Sequence, residues 1–499
     1  MLAFKLVCLV HELNHLDMVV LQKDFMKVLF IVPHEDDEVF IGGPMILNLA
    51  HTPSYEIYVF ISTNGDYYPF ENSIRVKESV DGLMSMGVNK ENIYFGGYGD
   101  SWKGKHIYNS SQNQQKESHG GFFETYVDSN IYTDWHFKIV GKHAKYTRSN
   151  YLSDIISLIH SILPEVIIAV DMDSHPDHRC LSLLVDEAMS YILKCNSNYN
   201  PILLKKFAYQ GCYKGARDYF YYPTKTTQLL NESPSNPYFL WNNRISYKVP
   251  KACDTIFIRN NLLYKIIRKY KSQGAWVNSD RFINSDIVYW QRSTKNLTLK
   301  SKLYATSGNV EFLNDFKLLD TDDVLLNECN YKMRCWRPSL EDREKSITIE
   351  LFKESVIKRI TLYINNLYES SNKNEGKVIY LLKNTAIHKS TFSIPSTSFG
   401  IVNIDTDKIL CDEVIFDFSK AGDNLGIGEI EILPNIDEVP FKEFLYTSNQ
   451  YKKSNFLKFI KLLDALSFII QRIINKILSK IVPNSFIRNR KKYDRKLTK

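Results

Sequence analysis

Five ionisable residues stand in one run, His34-Glu35-Asp36-Asp37-Glu38, and a second group, Asp171 to Arg179 (DMDSHPDHR), offers His175 and His178. Imidazoles and carboxylates are ligands for zinc or iron, and a site that leaves positions open to water and substrate suits hydrolysis. Both groups follow short, unbroken apolar runs, Val28 to Val32 and Val166 to Val170. Such runs read as strands buried on both faces, as in a parallel sheet. Pro33 stops the first ladder, and the charged run begins at once. The carboxyl ends of strands are where open α/β sheets place their ligands. On these residues the chain reads as a zinc hydrolase.

The surrounding segments supply the scaffold that such a site needs. Val39 to Ala50 reads as a helix, with Gly42 and Gly43 near its start, and Tyr55 to Ser62 as a strand ending in Thr63-Asn64-Gly65-Asp66. Ser73 to Met86 is amphipathic and closed by Gly87, a common residue just past a helix end. A short strand at Ile93 to Phe95, a helix at Tyr151 to Ile162, the second site strand and a helix at Cys180 to Leu193 follow. This alternation predicts a doubly wound, mostly parallel, Rossmann-like α/β sheet. No G-x-G-x-x-G follows the first strand, so no nucleotide is inferred. Residues 103–150 are polar and aromatic without clean periodicity, as expected of a functional loop or lid.

The two charged groups, PHEDDE and HPDHR, resemble the LmbE/PIG-L group of zinc-dependent N-deacetylases, which act on N-acetylglucosaminyl compounds. The family's first motif usually has Pro where this chain has Glu35, a position that is not a ligand. Arg75 and Glu78 with Met86-Gly87-Val88, then Tyr98-Gly99-Asp100, and later Tyr270-Lys271-Ser272-Gln273, resemble further family elements. The resemblance implies Zn2+ held by His34, Asp37 and His178, with Asp36 as general base and His175 steadying the oxyanion. It also implies substrate contacts from Arg75 and Asp100, although these two and Glu38 could equally be ion-pair partners. Asp177 is expected to support a ligand or cap a helix. His34 and Asp37 straddle a tight turn, so both can reach one ion, while Pro176 stiffens the link between His175 and His178.

From Lys302 the texture changes to short alternating strands, Ser346 to Leu351, Ile357 to Tyr363, Lys377 to Leu382, Cys411 to Phe418 and Ile427 to Leu433. With Trp336-Arg337-Pro338 ahead of them, they resemble a discoidin-type, all-β jelly-roll sandwich, a module that often holds glycans or lipid headgroups. The chain of 499 residues thus divides into an extension (1–25), a deacetylase-like domain (26–300), a sandwich (301–436) and a tail (437–499). The eight cysteines are scattered with no C-x-x-C, which fits reduced thiols better than a disulfide framework.

Charge is unevenly spread. From Lys452 onward fourteen Lys and Arg face only Asp464 and Asp494, a net +12, so the overall +7 leaves the body at −5. A mildly acidic body argues against nucleic acid as a partner. Asn455 to Val482 reads as a helix with one wide apolar face and a narrow basic one, suited to lying in a membrane interface. The expected location is cytoplasmic, peripherally bound to an anionic membrane. His11-Glu12-Leu13-Asn14-His15 matches H-E-x-x-H but sits in the extension, and is expected to be incidental. The expected function is removal of an N-acetyl group from an N-acetylglucosamine-type sugar, glycan or glycolipid. The alternatives are an amidase for another amino-sugar conjugate and a non-catalytic glycan-binding membrane adaptor.

Overall fold

The computed structural model describes residues 25–67, 72–101, 106–196, 198–208, 213–214, 226–228, 236–255, 260–274, 283–321, 334–369, 374–446 and eight positions between 462 and 473. The H-E-x-x-H match and most of the expected C-terminal helix lie outside the described residues.

The first sheet has seven strands in the order β3-β2-β1-β4-β5-β9-β8. These are β1 Met26–Val32, β2 Tyr55–Thr63, β3 Ile93–Tyr98, β4 Val166–Val170, β5 Ile202–Lys206, β8 Ile245–Lys248 and β9 Asp286–Arg292. Two-residue strands β6 (Tyr213–Lys214) and β7 (Thr227–Gln228) pair separately. The five strands from β3 to β5 run parallel, while β9 and β8 add antiparallel pairs at one edge. Val28 to Val32 and all of β4 are buried, as runs of β-branched and aliphatic residues in a sheet covered on both faces require. The helices are α1 Gly43–Leu49, α2 Asn72–Ser85, α3 Trp135–Val140, α4 Arg148–Ile162, α5 Pro176–Cys195 and α6 Leu262–Ile267. α4 packs on α5, and α2 on α6.

The topology itself locates the site. β1 pairs with β2 on one side and β4 on the other, so the chain order reverses between β1 and β4. At such a switch point the two following loops diverge and leave a crevice outside the strand ends. Both charged groups emerge into that crevice. The helix expected from Val39 begins instead as one π-helical turn, Glu38–Gly42, before α1. The helix expected from Cys180 begins earlier, at Pro176, which puts Asp177 and His178 in its first turn.

The second sheet is antiparallel throughout, with β10 Lys302–Ala305, β11 Ser346–Asn365, β12 Asn374–Leu382, β13 Thr385–Ile394, β14 Phe399–Asp417 and β15 Ile427–Leu433. Two expected strands are one long β11, which shifts register against β14 between Glu350 and Ser355 and again between Ile357 and Arg359. Bulges of this kind let one strand turn a corner and serve both faces of a sandwich. A single apolar cluster accordingly joins Ile347 and Ile349 to Ile360, Leu362 and Ile364. Trp336 is fully buried in it, with Nε1 donating to Ser307 O at 2.7 Å.

β15 is buried along its whole length because its second face meets the α/β body. Arg292 of β9 lies 3.5 Å from Glu431, Phe316 N–H donates to Glu429 at 3.1 Å, and Tyr238 OH donates to Ile364 O at 2.9 Å. The chain then returns to the first sheet. Phe441 joins its core, Tyr247 OH donates to Pro440 O at 2.9 Å, and Leu445 bridges Tyr247. Residues 439–446, expected to belong to the tail, are therefore part of the body, and a basic tail starts after them.

Candidate active site

Pro33 ends β1, and a tight turn follows in which Asp36 N–H and Asp37 N–H both donate to His34 O, at 3.1 and 3.2 Å. Asp37 closes the turn by accepting from His34 N–H at 3.2 Å. On the other strand, His175 caps α5, its Nδ1 accepting from Asp177 N–H at 3.3 Å, and His178 lies one turn later on the helix's inner face.

Three donor atoms converge. Asp37 Oδ2 lies 3.0 Å from His34 Nδ1 and 3.1 Å from His178 Nε2, and those two nitrogens are 3.3 Å apart. Each ring is held from behind by a carboxylate: His34 Nε2 lies 3.1 Å from Asp177 Oδ2, and His178 Nδ1 2.8 Å from Asp173 Oδ2. Such backing fixes the tautomer that leaves the opposite nitrogen free to bind a metal. Asp37 Oδ1 is buried without a hydrogen-bond partner among the described residues. Three carboxylates thus surround two imidazoles, and a dehydrated cluster short of positive charge suits a divalent cation. Burial works against charge on His178, but Asp173 and Asp37 push it up to about 9. Burial likewise works upward on Asp37, yet the His178 and His34 imidazoles hold it well below the usual carboxylate range.

Two wider groups could also hold a metal, each with atoms within 4.8 Å of one another: His34 with His175 and His178, and His34 with Asp100 and Asp177. The second is partly engaged by other groups, although Asp100 Oδ1 is buried without a hydrogen-bond partner among the described residues. Asp177 takes His106 Nε2 at 3.1 Å and Ser101 N–H at 3.2 Å, and Asp100 pairs with Arg75 at 3.7 Å. The Asp37 side of His34 fits a metal better.

The remaining expected residues lie close by. His175 sits at the rim, one third exposed, its ring centroid 4.7 Å from those of both His34 and His178. Burial first, then these two rings, push its pKa well below the ordinary imidazole value, which keeps it neutral. Asp36 is partly buried in the turn; burial and Asp37 raise its pKa, while Arg75 opposes. Glu35, where the family usually has Pro, is fully buried and pairs with Arg75 at 3.2 Å, and burial pushes its carboxyl up to about 7. Arg75 is therefore shared between Glu35 and Asp100. Gly65, at φ +65°, makes room for them: a Cβ there would lie 2.7 Å from Glu35 Oε2 and 2.8 Å from Arg75 Nε.

Glu38 accepts from Ser79 and, at 2.7 Å, from Tyr270 OH. Glu78 accepts from Ser272 Oγ at 2.6 Å and from Lys271 N–H at 3.0 Å. The Tyr-Lys-Ser-Gln element is thus clasped by two acids, one of them next in the chain to Asp37. Sequence reasoning missed His106 and Asp173, and no local motif marks His106. The long insertion walls the site: Thr63, Asp100, His106, Ser118, Tyr146 and Asp177 line one cavity.

The α/β fold thus gathers acids and imidazoles that could hold a metal at its switch point. Residues 29–189 match the family model described as PIG-L: GlcNAc-PI de-N-acetylase. A probable N-acetylglucosaminyl-phosphatidylinositol de-N-acetylase of Dictyostelium discoideum is 39% identical over 69 residues, 14% of this chain and 26% of that protein. The match thus spans about a quarter of that relative's length. The N,N'-diacetylchitobiose deacetylase of Pyrococcus horikoshii is 17% identical, covering 59% of this chain and 94% of that one, at a TM-score of 0.30. A fucose binding module of Streptococcus pneumoniae is 16% identical, covering 28% of this chain and 98% of that one, at a TM-score of 0.22. Residues 29–189 carry a PIG-L family domain.

Proposed function

We propose that the protein is a metal-dependent N-deacetylase acting on an N-acetylglucosamine-type sugar, glycan or glycolipid. The convergence of His34 Nδ1, Asp37 Oδ2 and His178 Nε2 carries this reading, supported by the PIG-L match that spans all three residues. Two imidazoles and one carboxylate are a donor set for Zn2+, which when bound supplies a Lewis acid and lowers the pKa of its water toward ~7. Asp36 takes the proton of the attacking water. His175, kept neutral, donates its one N–H to the oxygen on which charge develops, and the proton taken up by Asp36 goes on to the leaving amine. Arg75 of α2 and Asp100, just after β3, bind sugar hydroxyls. An intact donor set with both rings backed by carboxylates favours an enzyme over a glycan-binding adaptor. Metal content and acetate release from N-acetylglucosamine conjugates test it. Bound metal without release of any acyl group would point to the adaptor, and release of another acyl group to the broader amidase.

We further propose that the enzyme works at an anionic membrane surface on the cytoplasmic side. Among the described residues of the tail, Leu462, Leu463, Leu466, Ile470 and Ile473 are 46–56% exposed, which supports a face available to a membrane surface. At ~100° per residue they fall within about 100° of helical arc. No helix among the described residues is long and apolar enough to cross a membrane. One apolar face and a +12 segment are the two weak signals that peripheral anchoring takes. Full-length protein should float with anionic but not neutral vesicles and partly release at high salt. Leu466→Glu with Ile470→Glu should abolish flotation; unchanged flotation of that variant would rule the face out.

A further inference from the structure

We propose that His106, from the long insertion, is a positioning residue of the metal site: it holds Asp177 in the orientation that turns His34 Nδ1 toward Asp37 and His178. This rests on the metal site proposed above and adds a residue outside the ligand set, acting on His34 through Asp177.

The contacts form a chain with a defined direction. His106 Nδ1 accepts from Tyr108 N–H at 3.1 Å, so in the neutral ring the proton sits on Nε2, which donates to Asp177 Oδ1 at 3.1 Å. The other oxygen, Asp177 Oδ2, takes His34 Nε2 at 3.1 Å and Ser101 N–H and Oγ, both at 3.2 Å. His34 meanwhile reaches Asp37 Oδ2 with Nδ1 at 3.0 Å. The ring of His34 thus takes its orientation from Asp177, and Asp177 is held at both oxygens. Without the Oδ1 contact the carboxylate is fixed at one oxygen alone, and the imidazole that it backs loses its support.

His106 is itself fixed, as a positioning residue must be. It is buried and starts a short turn, Ile107–Asn109, whose Ile107 and Tyr108 are also buried. Tyr108 OH donates to Asp320 at 2.8 Å, and the Arg148 guanidinium lies 4.0 Å over the Tyr108 ring. Asp320 in turn pairs with Lys317 at 3.1 Å and with Arg334 at 2.7 Å. Starting the turn uses Nδ1 alone, so the Nε2 contact serves Asp177. His106 and Asp177 line one cavity with Asp100, which puts their hydrogen bond in the wall of the site.

The two ring nitrogens can be replaced one at a time. An Asn amide oxygen mimics Nδ1 and keeps the contact to Tyr108 N–H, whereas a Gln amide nitrogen reaches the Nε2 position and keeps the contact to Asp177. Zn2+ affinity of the full-length protein is measured by competition with a chromophoric chelator, beside the unfolding midpoint of the metal-free protein. His106→Asn should bind Zn2+ about tenfold more weakly than wild type, the lower end of what losing a ligand's hydrogen-bonded support costs, with the midpoint unchanged. His106→Gln should keep the wild-type affinity and lower the midpoint, because the turn loses its cap. The order of the affinities decides. Wild-type affinity in His106→Asn, or an equal loss in both variants, overturns the positioning role and leaves the metal site standing. Wild-type protein that binds no Zn2+ overturns the metal reading and the positioning role with it.

Discussion

Alanine at His34, Asp37 or His178 is expected to strip most of the metal and to leave almost no deacetylase activity. Each supplies one atom to a triangle with sides of 3.0, 3.1 and 3.3 Å, so no remaining pair can hold the ion as a chelate of three. The loss should be local. The sandwich has its own apolar cluster around Trp336, and its unfolding transition should not move. Asp173→Ala sets the scale for an indirect effect: it frees His178 Nδ1, now 2.8 Å from Asp173, and should cost 10–100-fold in metal affinity rather than abolish binding. Elemental analysis of purified variants decides the matter. Full occupancy in any of the three alanine variants would remove that residue from the ligand set.

Asp36→Asn should do the opposite, keeping the metal and losing turnover by ~10²–10⁴, the usual size of a general-base contribution. The substitution is isosteric, and the turn it sits in is closed by backbone atoms and Asp37, so the ligands should stay in place. Burial and Asp37 raise the Asp36 pKa, which makes the carboxylate a better base than a solvated one. His175→Ala should likewise keep metal and lower kcat more than KM, because its contact is made as charge develops. Steady-state kinetics at matched metal content measures both. Near-normal turnover of Asp36→Asn would pass the base role to another group.

The Glu35–Arg75 pair changes how the family position is understood. A Pro there would stiffen the turn, whereas Glu35 is fully buried and holds Arg75 in place. Arg75 thus has a structural partner as well as Asp100, and its substitution should disturb the loops after β1, β2 and β3 together.

Much of the site was legible because its signals are local. β1 and β4 announce themselves as apolar runs that a parallel sheet buries on both faces, and the residues after them are set by the strand ends. The turn from His34 to Asp37 and the helix start at Pro176 need only short-range geometry. β13 escaped notice because it is mostly exposed and pairs with β12 alone, so its sequence carries no strong alternation. β15 reads as a half-exposed strand, yet it is buried throughout, because the α/β body covers the face that carries Glu429 and Glu431.

What the amino-acid order determined by itself was the pair of buried strands, the ligand types that follow each, and the charge separation between body and tail. Periodicity and composition act over a few residues, so they survive without knowledge of the rest. Only the tertiary structure decided which atoms meet. The reversal of strand order between β1 and β4 brings His34 beside His178, 144 positions apart in the chain, and carries Asp177 behind one ring. It also set His106 against Asp177, Tyr67 against His119, and residues 439–446 back on the first sheet. Those contacts join segments whose own sequences say nothing of one another, because closing each loop is settled by the packing of the whole domain rather than by any local preference.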